Sequence, residues 1–450
     1  MPSGLWTPVV LGAAIRIALW IWVPASLFAS DEQSYYQAGT ALASQGLQDL
    51  FWPPMTGWLI ALFTLIVGPS VTWIRFAWVM MDIACLIAVR SLAWRLASDV
   101  SSAVVDHQTG RAALARQFTM WATLGYALYL PALAFAQFTT SETPALLQLL
   151  VVLLLLTRYE AGRGTFVMAG VITGTLALTR PSLLPLLVVL PIVIVWQHWR
   201  ANRLQHAALF FMAAAVVVGG VVIKNWWMVG EATIARNSAY NLYIGNRDFY
   251  AEDLDLFNPR ATKEQIEFRR QFFSGREAYP TGTPQELQQQ ALAWIVAHPG
   301  TFARRALGRL GRVFAPRTDV LELVGGERSV GVFAPQSIAL LGIANLQWTV
   351  VLFGGLIGLF ALRHIRPDHF ELYVATIVGA LVLCLIAISK PRYSFVIDPL
   401  LILGACVLLT APGRVVRSLP ALDRLVLMAL FAFLIWAWIA WTIFAISSRA

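Results

Sequence analysis

Ser30-Asp31-Glu32-Gln33 is where the chain first offers groups that could do chemistry. The four residues fit a capping box, so Ser30 is the expected N-cap, and Asp31 and Glu32 fall in the first turn of a helix that runs to about Gln45 and stops at Gly46. Two acids there complement the helix dipole, an effect of about 0.3–1 kcal/mol each. The same pair, followed by Tyr35 and Tyr36, also has the makings of a general base beside aromatic surfaces that contact sugar. Glu142, in Phe-Thr-Thr-Ser-Glu-Thr-Pro, again starts a helix, with Pro144 just inside it. A cationic set accompanies these acids: Arg180, Lys224, Lys390 and Arg392. Each alone reads as a snorkelling anchor at the end of an apolar run. Converged on the face that holds Asp31 and Glu142 they make a phosphate site, because arginine forks and lysine point charges are the usual partners of oxyanions. Arg16 and Asp82 lie inside apolar runs, where an ionised group is costly without a partner.

The elements that must position these groups are membrane helices. Of 450 residues, 58% are hydrophobic and 13% charged. Soluble domains carry roughly 25% charge and 45–50% apolar residues, which excludes an ordinary soluble enzyme, and a disordered scaffold is excluded by the same numbers. Eighteen Trp and twenty-five Phe suit the aromatic belts of a bilayer interface. Cys85, Cys384 and Cys406 each sit in an apolar run, so no disulfide framework or zinc motif follows. The six histidines show no metal-ligand spacing. The N-terminus lacks a positive n-region and a small-residue cleavage site, and reads as a first span that is kept.

Apolar runs near the 20 residues a bilayer demands occur at 5–28, 72–96, 117–137, 143–158, 165–180, 182–198, 207–229, 338–362, 371–389, 394–411 and 425–446. A twelfth, 53–67, has fifteen residues and opens on two prolines. If it does not cross, Arg90, Arg95, Arg111, Arg116, Arg158, Arg163, Arg200, Arg203, Arg363, Arg366, Arg414, Arg417 and Arg424 share one face, which the positive-inside rule makes cytoplasmic. The net charge of +9 then records topology, not nucleic-acid binding. The acidic segment 29–52 and the long loop 230–337 fall together on the outer face. The expected organisation is therefore an N-terminal seven-span module (1–229, its first external loop at 29–71), an external loop region (230–337) and a C-terminal four-span region (338–450).

Within the loop, Thr283-Pro284-Gln285-Glu286 is a capping box with proline at the first helical position, predicting a helix that ends near His298-Pro299-Gly300. The stretch 301–315 places Phe302, Ala306, Leu307, Leu310, Val313 and Phe314 on one arc and Arg304, Arg305, Arg309 and Arg312 on the other. That is the pattern of a basic amphipathic helix on a membrane surface.

The order of these features resembles the GT-C superfamily of integral-membrane glycosyltransferases, in particular bacterial members similar to protein O-mannosyltransferases and lipid A aminoarabinose transferases. The resemblance covers 5 to about 250 and returns at 388–400. Its parts are Asp31-Glu32 with Tyr35-Tyr36, Pro53-Pro54, Thr139 with Glu142, Leu178 to Pro181, Lys224 to Glu231, Asn241 to Asn246, and Arg392-Tyr393 before Pro399. It implies an all-α polytopic fold, a GT-C-type bundle of about eleven transmembrane helices with membrane-parallel helices in the first external loop. It implies a donor sugar on a polyprenyl phosphate, Asp31 as catalytic base with inversion, and Glu32 and Glu142 orienting acceptor or sugar. Arg180, Lys224, Lys390 and Arg392 would bind the donor phosphate, while Tyr35, Tyr36, Asn241, Tyr243, Asn246 and Tyr393 would contact sugar or acceptor. The cofactor is left open, with a divalent cation such as Mg²⁺ or Mn²⁺ as one option. The implied setting is a bacterial inner membrane, with the site facing the periplasm of a monomer that meets membrane lipids, a lipid or glycan acceptor and no nucleic acid. Trp52 stands where such transferases often carry Lys, and the external region is one modest loop, which favours a glycolipid or envelope glycan over a protein acceptor. A flippase of lipid-linked sugars, an O-antigen ligase or polymerase, and a structural membrane subunit are the rival readings.

Overall fold

The computed structural model describes residues 3–23, 30–104, 108–158, 161–197, 202–249, 254–267, 282–317, 320, 335–410, 412–413 and 419–447. Among them seven helices are long and apolar enough to cross a membrane: Gly4–Trp22, Val71–Ser102, Arg203–Val229, Ile338–Ile365, Pro367–Ile386, Pro391–Thr410 and Ala421–Ser447. The runs at 117–137, 143–158, 165–180 and 182–198 appear as shorter or more polar helices packed among these.

Helix α1 (Thr7–Trp22) lies antiparallel to α4 (Val71–Val104). Trp20 Nε1 donates to the Thr72 carbonyl at 2.9 Å, Arg90 Nε donates to the Leu5 carbonyl at 3.1 Å, and midway between them Arg16 pairs with Asp82. Both members of that pair are fully buried; Tyr126 Oη donates to the second Asp82 oxygen at 2.6 Å, and Arg16 reaches the Gly12 and Ala127 carbonyls. The two intramembrane charges thus neutralise each other with their hydrogen bonds satisfied, the condition under which burial is tolerable. Helix α5 (Gln108–Ala127), which carries Tyr126, closes this group and leads to the short α6 (Leu130–Phe135).

Helix α7 (Glu142–Leu156) runs parallel to α4, with Trp78 Nε1 donating to the Thr140 carbonyl at one end and Arg95 bonded to the Leu154 carbonyl at the other. Arg75 and Arg95 are twenty residues apart on α4, about 30 Å of helix and the thickness of a hydrocarbon core. Helix α8 (Arg163–Thr179) returns, and α10 (Arg203–Val229) packs on it at Gly170 and Gly174, where an added Cβ would lie 2.2 Å from the Phe210 carbonyl oxygen and 2.8 Å from Val217 Cβ. Small residues at that seam let two apolar helices approach closely without a hydrophobic driving force in lipid. Between α8 and α10 in the chain, α9 (Leu186–Trp196) fills a further position in the bundle.

Between α1 and α4 stand α2 (Ser30–Gln45) and α3 (Pro54–Val67). Both ends of α3 lie at one end of the bundle. The carbonyls of Leu50 and Phe51 accept from Arg236 and Asn237, whereas Tyr36 Oη donates to the Pro69 carbonyl beside the start of α4. Fourteen residues give about 21 Å of helix, short of a crossing.

In the long loop, α11 (Arg236–Gly245) precedes α12 (Pro284–Ala297) and α13 (Pro299–Val313). The Thr283–Glu286 capping box forms as its spacing predicts, each side chain bonding the other's backbone N–H. The basic face of α13 differs from expectation. Arg309 and Arg312 are buried, Arg305 donates to the Arg247 carbonyl at 2.6 Å, and Arg309 donates to the Leu385 and Ile386 carbonyls, while Leu307 on the apolar arc stays exposed. Arg305 and Arg309 turn inward because the ends of α11 and of the helix closing at Ile386 present carbonyls there, and a guanidinium carries enough donors to satisfy several, while Arg304 stays exposed.

The C-terminal region comprises α14 (Pro335–Ile365), α15 (Pro367–Ile386), a 3₁₀ segment (Pro391–Ile397), α16 (Asp398–Thr410) and α17 (Ala421–Ser447). His369 beside Asp99, and Arg363 and His364 beside Asp423, place the start of α15 and the start of α17 at the Arg95 end of α4.

Candidate active site at the rim of the bundle

Two prolines and two helix starts assemble the site. Helix α8 ends at Thr179 because Arg180 precedes Pro181, and a pre-proline residue is pushed from the helical to the extended region; Arg180 adopts φ −140°, ψ 102°. Lys390 precedes Pro391 and is likewise extended, at φ −137°, ψ 152°. The interruption after Ile386 frees backbone groups at the end of a span, a state tolerated where protein or a cavity covers them. Asn246 Nδ2 and Arg309 each donate to the Ile386 carbonyl at 2.8 and 2.9 Å, and Ser394 Oγ donates to the Pro391 carbonyl at 2.9 Å. Arg392 and Tyr393 follow in the 3₁₀ segment, aimed back at the start of α2.

Segment 136–141, between α6 and α7, is non-helical yet buried throughout. Glu32 anchors it. Its Oε1 accepts from the Thr139 N–H at 2.8 Å and from Thr139 Oγ1 at 2.9 Å, with Arg75 Nη2 at 3.9 Å. The first turn of α2 is thereby tied to the segment leading into α7, and Asp31 is set opposite Glu142.

Asp31 pairs with Arg392, whose Nε lies 3.5 Å from Glu142 Oε1; Glu142 is also 3.1 Å from Arg180 Nη1. The Arg180 guanidinium sits 5.0 Å from the centre of the Tyr393 ring. Tyr35 lies beside Ser141, Asp31 and Glu142, buried, with its ring 4.8 Å from that of Trp52. Burial and then the nearby carboxylates raise the Tyr35 hydroxyl above its ordinary range, so it serves as a neutral donor. The Asp31 side chain remains a quarter exposed, while Glu142 is 3% exposed. Burial alone would raise the Asp31 carboxyl, but Arg392, Lys390 and Arg180 outweigh it and hold the group well below the usual carboxylate range. Two carboxylates face three cations, a surplus of positive charge at a partly open rim that suits an anion. Both carboxylates are already engaged by arginine, a donor set that fits a dication poorly, and among the described residues no group of three or more His, Cys, Asp and Glu is placed to hold a metal ion.

Asp31, Glu32, Tyr35, Glu142, Arg180, Lys390, Arg392 and Tyr393 therefore converge. Others on the sequence-derived set go elsewhere. Lys224 bonds Gln48 and lies 5.8 Å from the Trp58 ring, in the α2–α3 connection. Tyr36 staples α2 to Pro69. Asn246 braces the break after α15, and Tyr243 stacks under Arg247 at 5.7 Å. Asn241 is half-buried on α11. Thr139, Ser141 and Arg75 support the site without having been singled out for that work. Thr-x-x-Glu before an apolar run was the available signal for Thr139. Arg317 was also missed. Its guanidinium meets Asp398 at 2.5 Å with both side chains fully buried, and Tyr129 Oη donates to the same carboxylate at 3.0 Å.

No family model and no curated protein matches the chain. Solved membrane proteins of similar shape do exist. The archaeal oligosaccharyltransferase AglB from Archaeoglobus fulgidus, in complex with an inhibitory peptide and a dolichol-phosphate, matches with a TM-score of 0.46 and 15% identity, over 100% of this chain and 56% of AglB. The same organism's oligosaccharyltransferase tethered to an acceptor peptide gives 0.48 and 14% identity, over 100% and 55%. ArnT from Cupriavidus metallidurans, bound to undecaprenyl phosphate, gives 0.40 and 18% identity, over 92% and 79%. The chain thus spans about half the length of the oligosaccharyltransferases it matches.

Proposed function

We propose that the protein is a glycosyltransferase that moves a monosaccharide from a polyprenyl-phosphate donor to the hydroxyl of a glycolipid or envelope glycan. The observation that carries this reading is the meeting of Asp31 and Arg392, 361 residues apart in the chain, at a half-open rim shared with Glu142 and Arg180. The donor phosphate replaces Asp31 as the partner of Arg392, with Arg180 and Lys390 completing its neutralisation. Released from Arg392, the Asp31 carboxylate takes the acceptor O–H proton as the acceptor oxygen attacks the anomeric carbon from the opposite side. The anomeric C–O bond to phosphate breaks, and the phosphate leaves with the bonding electrons into the cationic cluster. Fixed cations at developing charge, in a site shielded from water, are often the largest single catalytic contribution. Glu142, held by Arg180, orients the sugar, and Tyr35 donates a hydrogen bond at the rim.

The order of sequence motifs supports the same reading, as does the positive surplus of the cluster. The setting it fits is a bacterial inner membrane with the rim facing the periplasm, the protein acting as a monomer. Purified protein in nanodiscs, given radiolabelled polyprenyl-phosphate sugars and cell-envelope lipids, should transfer label, and should do so in EDTA. The Asp31→Asn and Glu142→Gln variants should fold; Asp31→Asn should lose about 10²–10⁴-fold in rate, the range of a positioned acid–base group, and Glu142→Gln, which weakens the hold of Arg180, should also lose rate. Transfer by Asp31→Asn at the wild-type rate would sink the proposal. A flippase, needing no base, would retain its function in that variant, and an O-antigen ligase or polymerase would move a preassembled glycan in place of a single sugar.

A further inference from the structure

A cavity of about 370 Å³ opens beside α2, lined by Ser34, Asp49, Phe51, Trp52, Arg236 and Tyr240 and closed on its far side by the start of α12. Its volume falls within the roughly 300–1,000 Å³ of small-molecule sites. None of the mechanism's charged residues lines it. Yet Ser34 follows Asp31 by about one helical turn, which sets their Cβ atoms about 5–6 Å apart on one face, and Trp52 packs against Tyr35, tilted, at 4.8 Å.

We propose that this cavity binds a saccharide and presents its hydroxyl to Asp31, so that the acceptor is recognised as a sugar. The inference rests on the transferase reading above for the role of Asp31, and on the cavity alone for the ligand class. Three aromatic rings form one wall: Phe51 packs edge-on against Trp52 at 5.2 Å and against Tyr240 at 5.7 Å. An aromatic wall of this kind suits the C–H surface of a pyranose. Around them stand groups that read hydroxyls. Asp49 caps the Phe51 N–H at 2.7 Å, Ser34 offers a hydroxyl, and Arg236 is held in a fork by Glu231 at 2.7 and 2.9 Å. An isoprenoid tail would gain nothing from that carboxylate and guanidinium, and would strip water from both. The walls are also fixed in place. The backbone N–H groups of Arg236 and Asn237 donate to the Leu50 and Phe51 carbonyls, locking α11 to the α2–α3 connection.

Saturation-transfer NMR on the full chain in nanodiscs tests this with maltose, cellobiose, N,N′-diacetylchitobiose and a hexuronic-acid disaccharide as probes. At least one should receive saturation through its C–H face, and undecaprenyl phosphate should not displace it. Tyr240→Ala and Asp49→Asn should each weaken binding about tenfold, in line with a lost stacking or charged hydrogen-bond contact, while Tyr240→Phe should bind as wild type. Thermal midpoints establish that the variants are folded. Absence of transfer to every probe, displacement by undecaprenyl phosphate, or wild-type binding by both weakened variants overturns the subsite. The outcomes separate the two readings. Saccharide binding without sugar transfer from any donor leaves the subsite and removes the transferase, whereas transfer with an unchanged acceptor KM in Tyr240→Ala does the reverse.

Discussion

Asp31 is a weaker base in the resting protein than its assigned task requires, because Arg392 and Lys390 hold its pKa down. That mismatch is informative. On the proposed mechanism, a base masked by the cation that later binds the leaving group would be unmasked only when the donor arrives, which would limit wasteful attack by water. The pH dependence follows. A carboxylate whose folded pKa is depressed stabilises the fold above its unfolded value, about 3.9, and loses that stabilisation only as pH falls through the lower folded value. The pair with Arg392 should therefore contribute fully between pH 5 and 8. Donor binding draws Arg392 away and adds a negative phosphate, both of which raise the Asp31 pKa. The acid limb of kcat, which reports the loaded enzyme, should lie at higher pH than that of kcat/KM, which reports the free enzyme. Rate profiles from pH 4 to 8 check this; coincident limbs would contradict the unmasking.

Elements act here through their interruptions. The tie from Glu32 to Thr139 fixes a buried non-helical segment against α2, so Glu32→Ala should do more than delete a surface acid. It leaves the Thr139 N–H and hydroxyl without that acceptor, at a cost of about 1–3 kcal/mol each, and loosens Asp31 relative to Glu142. The expected result is a lowered thermal midpoint together with a fallen kcat, and Glu32→Gln, which keeps an acceptor oxygen, should recover most of the midpoint. At the start of α16, Arg317→Met strands the fully buried Asp398 carboxylate and should cost about 3–5 kcal/mol, read as a drop in thermal midpoint in detergent. Adding Asp398→Leu should restore much of it, since two apolar side chains can replace a buried ion pair at little cost. One helix stop was legible in advance: Leu-Thr-Arg-Pro ends α8 because a pre-proline residue avoids the helical region, whereas α15 stops at Ile386, ahead of Ser-Lys-Pro-Arg. What each freed side chain would meet was not, because Arg180 reaches Glu142, and Arg392 reaches Asp31, across contacts between distant parts of the chain.

At the scale of the molecule the ends of the bundle differ. Arg90, Arg95, Arg363 and Arg366 gather at one end, and the acid–base cluster forms at the other. Single cysteines test the sidedness cleanly, since Cys85, Cys384 and Cys406 are buried. Exposed Gln45, at the end of α2, should react as Gln45→Cys with a membrane-impermeant maleimide added to the outer face of intact membranes. Gln108→Cys, exposed at the start of α5, should react only after permeabilisation. Labelling of both from one side would overturn the topology. The tightest helix pairing, α14 on α16, depends on Gly358 and Gly404, where a Cβ on Gly358 would overlap the Gly404 carbonyl at 1.7 Å. Close approach of this kind substitutes for hydrophobic drive within lipid.

The sequence by itself determined that the chain lives in a membrane, roughly where its apolar helices lie, and which scarce charges lie near their ends, because these follow from local hydropathy, capping and proline chemistry. It also pointed to Asp31, Glu142, Arg180 and Arg392 as groups worth bringing together. Tertiary structure alone decided that they do meet, that Lys224, Tyr36 and Asn246 serve other contacts, and that Arg309 and Arg312 of α13 turn inward. Those outcomes depend on which unpaired carbonyl or carboxylate happens to lie within reach of a long side chain. That is a property of helix packing over hundreds of residues, and no local pattern encodes it.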